Sequence, residues 1–148
     1  MSTITNIRAG TVTAVDDRRR ARIAAVGGAI VAALTVWFVA EVVSGLDLRR
    51  PAAGVGAPAQ DITAIHVVFA AAVGSLAAWA LLAVLERMTS RPRRAWTVIA
   101  AFTLLVSLGG PLSGSGITTS NRLVLVLMHL IVASVVIAAL ARTARASR

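Results

Sequence analysis

The chain has 148 residues, 57% of them hydrophobic and only 14% charged, with a formal charge of +9 and a mean hydropathy of +0.83. A small water-soluble domain needs more polar residues to cover itself, so the composition excludes an ordinary soluble globule and points to a bilayer as solvent. Cysteine is absent and all fifteen basic residues are arginine. Disulfides, thiolate metal sites, cysteine nucleophiles and a lysine Schiff base are therefore excluded.

Residues 1–22, MSTITNIRAGTVTAVDDRRRAR, are polar and end in an arginine cluster; they predict a flexible basic tail with a short interfacial turn near Asp16 and Asp17. The first apolar block, residues 23–46, reaches roughly 36 Å as a helix, enough to cross ~30 Å of hydrocarbon. It is longer than the apolar core of a signal peptide and predicts an uncleaved helix. A loop follows at residues 47–61, punctuated by Pro51, Gly54, Gly56 and Pro58. The second block, residues 62–86, carries Ala70, Gly74 and Ala78 four apart, a small-residue face of the kind that lets another helix approach closely. A basic turn, RMTSRPRR at 87–94, leads to the third block at 95–112, which Gly109, Gly110 and Pro111 end. After a polar loop at 113–121, the fourth block runs over 122–141, with a basic tail at 142–148. The fold class is thus all-α: a polytopic, antiparallel bundle of four transmembrane helices joined by short links.

The arginines sit at the ends of the apolar blocks rather than along one face, which excludes the nucleic-acid binding that +9 suggests. Twelve lie in the N-terminal tail, the middle turn and the C-terminal tail; three (Arg49, Arg50, Arg122) lie at the other end. The positive-inside rule then predicts both termini inside and the loops at 47–61 and 113–121 outside. Trp96 beside Arg94 reads as an inner interfacial anchor. Arginine without lysine, with abundant alanine and valine, suggests a GC-rich bacterial source.

Polar side chains inside the blocks are the candidate site. Measured from the expected outer helix ends, Glu41 lies about 7 Å down, His66 about 6 Å, His129 about 10 Å and Ser107 about 7 Å. Bare charge in hydrocarbon costs ~2.5–3.5 kcal/mol even on mild insertion scales, so such residues turn inward and find partners. Glu41, His66 and His129 are expected to face a common cavity open to the outside. Trp37, Thr103 and Ser107 would line it, with Asn121 and Arg122 at its mouth. Each of these residues also has a structural role open to it, as interhelical glue, helix-end chemistry or packing.

Three chemistries would use such a set. Two imidazoles and a carboxylate suit a divalent metal, though the spacing is no local ligand motif. No cofactor is predicted and a metal is not excluded. Acid–base work on an apolar molecule, of cyclase or isomerase type, would use Glu41 as acid and His66 or His129 as base. Proton or ion passage would need polar groups through the inner half, which is dry. The expected partners are the lipid bilayer, a lipophilic or lipid-like small molecule, or a membrane complex in which the chain is an accessory subunit.

One combination of features resembles a known group. An acid follows the first tryptophan (Trp37 to Glu41), the second helix ends LLAVLERMTSRPRRAW, and a GPL turn at 110–112 precedes TTSNRLVLVLMHLIVASVV at 118–136. This order is similar to a family of small four-helix actinobacterial membrane proteins known as a domain of unknown function. The resemblance covers most of the chain after residue 22. It implies a fold and a bacterial cytoplasmic (inner) membrane, and no activity or catalytic residue.

Overall fold

The computed structural model describes residues 2–51, 58–113 and 116–145, with side chains from residue 16 onward. Gly54 and Gly56 of the expected loop, residues 114–115 of the second loop and residues 146–148 of the C-terminal tail lie outside the described residues.

Helix α1 covers Ser2–Phe38 and passes into a π-helical turn at Val39–Val43. The expected tail at 1–22 is thus helical in its backbone from Ser2, continuous with the apolar stretch. Gly45, at φ 64°, ends the helix in the left-handed conformation that glycine adopts without penalty. The chain then forms a two-residue hairpin, β1 (Arg49–Arg50) against β2 (Gln60–Asp61), with Arg49 opposite Asp61. Helix α2 spans Ala64–Met88 and α3 spans Pro92–Ser107. Pro92 sits in the first turn of α3, where a missing N–H costs nothing. Pro111 explains why α3 stops at Ser107: it has no N–H to give the Ser107 carbonyl, and its ring collides with that carbonyl in a straight helix. The chain turns at Leu108 and resumes as the short helix α4, Gly109–Ser113. Helix α5 covers Thr119–Thr143; the Thr118 hydroxyl accepts from the Asn121 N–H and caps its start.

Four segments are long and apolar enough to cross a membrane: Asp16–Val43, Ala64–Met88, Pro92–Ser113 and Thr119–Thr143. Helix α1 packs on α2 and α5, and α3 completes the ring by packing on α5 and α2. The closest packing uses alanines of α1. Ala25, Ala29 and Ala33, each four residues apart, are almost wholly buried. Large apolar side chains instead face outward: Phe69, Val98, Phe102 and Leu123 are each more than 60% exposed. Small residues inside and large ones outside is the pattern of a bundle solvated by hydrocarbon, where close backbone approach rather than water exclusion draws helices together.

The core has two parts. One joins Ala25, Ala29, Leu82, Trp96, Val136 and Leu140 toward the arginine-rich end; the other joins Ala33, Val67 and Ala71 toward the hairpin end. Trp96 is 2% exposed and donates its indole N–H to the Ile137 carbonyl at 3.3 Å. It is a packing residue between α3 and α5, not the interfacial anchor its position beside Arg94 suggested.

Candidate functional site: a side-opening cavity between α2, α3 and α5

Helix α2 places Ser75 eleven residues from its start at Ala64, about 16 Å along the axis. Helix α5 places His129 ten residues from Thr119, about 15 Å in. Thr103 lies four residues before the end of α3 at Ser107. Ser75, His129 and Thr103, on three helices, all line one cavity of about 460 Å³.

The cavity walls are apolar and small. Ala70, Gly74, Ala77 and Ala78 form the α2 wall, Ala100 and Leu104 belong to α3, and Met128, Val132 and Val136 belong to α5. A Cβ built on Gly74 would meet nothing within 4 Å. The Ala70–Gly74–Ala78 face, expected to let a helix come close, is thus the wall of a space. The close contact is made by the alanines of α1. Ala70, Gly74, Ala77 and Thr103 are exposed while lining the cavity, so it opens sideways between α2 and α3, and Arg122, expected at its mouth, is not among its lining residues.

Its polar groups are few and specific. The Ser75 side chain is 2% exposed, and its hydroxyl has no hydrogen-bond partner. Burying a hydroxyl unpaired costs about 1–3 kcal/mol, and such a group in a native fold calls for an explanation. The Ser107 hydroxyl is occupied, donating to the Leu104 carbonyl at 2.8 Å. His129 is half-buried, and its Nδ1 lies 2.7 Å from the Leu125 carbonyl. A carbonyl oxygen only accepts, so Nδ1 carries the proton and Nε2 of the neutral ring is left as an acceptor. His129 is the one ionisable side chain among the lining residues.

Of the residues singled out from the sequence, the structure brings His129, Thr103 and Ser107 together here. It does not bring Glu41, His66 or Trp37 into the cavity. Glu41 lies in the π-helical turn, and its Oε2 accepts from the Leu48 N–H at 2.9 Å, tying down the chain after the helix. His66 is exposed at the third position of α2. Its Nδ1 accepts from the Thr63 N–H at 3.3 Å and lies 3.0 Å from the Thr63 hydroxyl, so it caps its own helix. Trp37 donates its indole N–H to the Ile62 carbonyl at 2.9 Å and packs beside Ala33, Val67 and Ala71. Asn121 is buried and donates to the Asp47 carbonyl at 2.9 Å, while Arg122 donates to the Leu112 carbonyl at 3.1 Å. Both hold loops at the hairpin end. Among the described residues, no group of three or more His, Asp or Glu side chains is placed to hold a metal ion.

Sequence reasoning missed Ser75, because a lone serine in an apolar block carries no motif. It also read Arg22 only as part of a basic cluster and passed over Glu86, although the two pair across α1 and α2 at the arginine-rich end. A second concavity, about 470 Å³ at the α2–α3 turn, is walled by the exposed Arg91, Arg93 and Arg94.

Residues 13–146 match the model of a family of unknown function, DUF6069. The chain belongs to DUF6069. The match takes in all four membrane-length segments and the cavity between three of them. No curated protein and no solved structure matches the chain. For this DUF6069 member the chemistry must therefore be argued from its own residues.

Proposed function

We propose that this chain is a multi-pass protein of a bacterial cytoplasmic membrane that holds a lipophilic small molecule between α2, α3 and α5. The observation that carries this reading is the mostly apolar cavity of about 460 Å³, with His129 as the one ionisable side chain on its wall. That volume falls in the range of small-molecule sites, and mostly apolar walls with a few placed polar groups are what such sites share. The sideways mouth suits a ligand arriving from the lipid tails.

Twelve of the fifteen arginines lie at the end that carries both termini and the α2–α3 turn, which supports a cytoplasmic location for that end. The acid–base alternative needs Glu41 and a histidine at one substrate. With His129 on the cavity and Glu41 and His66 committed to helix ends, binding is the better supported activity. Purification into lipid nanodiscs, followed by mass spectrometry of extracted small molecules, tests it. The expected result is a discrete lipophile in stoichiometric amount, reduced in a Gly74→Leu variant that fills the cavity. Recovery of bulk phospholipid alone, equal in both proteins, would contradict it.

A further inference from the structure

We infer that the cavity selects a neutral lipophilic alcohol, its hydroxyl donating to His129 Nε2. This rests on the reading of the cavity as a ligand site and adds the chemical class of the ligand.

The selection follows from what the polar layer lacks. His129 donates from Nδ1 to Leu125, and Nε2 has no partner among the described residues. It therefore needs a ligand that can donate. A hydroxyl is the smallest neutral group that meets this need, giving its proton to the ring. A ketone, an ester or an ether has no proton to give and leaves Nε2 unmet. A carboxylate or an ammonium group is disfavoured differently: no Arg, Lys, Asp or Glu lines the cavity to pair with it, and an unpaired charge in apolar surroundings is costly. Thr103, exposed on α3, marks where the head passes as the apolar body enters between α2 and α3. The remaining walls are alanine, glycine, valine, leucine and methionine over most of their extent, which asks only that the body be apolar.

The test uses the full chain in phosphatidylcholine nanodiscs, with Trp37→Phe and Trp79→Phe so that Trp96, on the cavity wall, reports by fluorescence. Four probes of equal chain length are titrated: 1-dodecanol, 2-dodecanone, dodecyl methyl ether and dodecanoate. Saturable quenching or enhancement by dodecanol is expected, with the ketone, ether and carboxylate roughly tenfold weaker or more, the size of one unmet polar group. His129→Phe should bring the alcohol down to the level of the ether while leaving the ether unchanged, and Gly74→Leu should abolish the response to all four. Equal binding of the four probes, lost in Gly74→Leu, would overturn the choice of ligand class and leave the cavity as a binding site. Binding of none of them, or binding untouched by Gly74→Leu, would overturn both.

Discussion

Arg22 of α1 and Glu86 of α2 form an ion pair at 2.7 Å, with side chains only 9% and 17% exposed. The guanidinium also donates to the Thr143 hydroxyl at 3.0 Å and to the Thr143 carbonyl at 3.3 Å, and the Arg145 N–H donates to Glu86 at 3.1 Å. One cation thus ties α1, α2 and the end of α5 together where the helices leave the apolar region. Helix α3 takes no part in this knot, and the cavity lies on its side of the bundle.

Truncating one member of that pair should strand the other. Arg22→Ala or Glu86→Ala is expected to lose about 3–5 kcal/mol, the usual cost of leaving a buried charge unpaired. The double variant should lose less than the sum of the two, because the second change removes the orphan left by the first. Thermal or denaturant unfolding in one detergent reads both. Additive losses would show that the two side chains do not interact.

Gly74→Ala separates two roles for the small face of α2. If that face were a helix contact, an added methyl would collide with a neighbour and destabilise the bundle. The open space around Gly74 predicts the reverse. Alanine should be neutral or stabilising by up to about 1 kcal/mol, through its better helix propensity. A drop in unfolding temperature would contradict the cavity.

Ser75→Ala should behave unlike an ordinary buried polar deletion. A serine with partners loses them on truncation; this hydroxyl has none. The ligand-free protein is expected to gain on the order of 1 kcal/mol as an unmet buried group is removed. A loss of similar size in protein stripped of ligand would show that Ser75 is bonded within the fold.

At the hairpin end, Glu41→Gln keeps an oxygen to accept from the Leu48 N–H and should change stability little. Glu41→Ala leaves that N–H unmet and is expected to cost about 1–3 kcal/mol. Ligand retention should be the same in both, because Glu41 does not line the cavity. Loss of ligand in Glu41→Gln, with the fold intact, would return this residue to the site.

The four crossing segments were legible because apolar blocks of membrane length broken by glycine, proline and arginine leave few alternatives. What failed was position within a turn. Helix α2 begins at Ala64 rather than Ile62, and the regular α-helix of α1 gives way at Val39. Those shifts of a few residues turn His66 and Glu41 from groups beneath the surface into groups that finish a helix. The same shifts deepen His129, since α5 begins at Thr119 and not at Arg122. Of the polar residues expected on one cavity, His129, Thr103 and Ser107 line it together with Ser75, while Glu41 and His66 are taken up at helix ends. Lateral spacing between helices has no signature in a single sequence, so Ala70, Gly74 and Ala78 could not reveal that they face a space. Nor could Arg22, 64 positions before its partner, announce that it is buried.

The most direct test of the central claim is an experimental structure of the full chain in lipid nanodiscs, at a resolution that shows side chains at mid-span. The expected result is an elongated apolar density between α2, α3 and α5, its polar head within hydrogen-bond reach of His129 Nε2. A structure in which α3 closes on the Gly74 face, with Ser75 bonded to its own helix and no space left for a ligand, would contradict it.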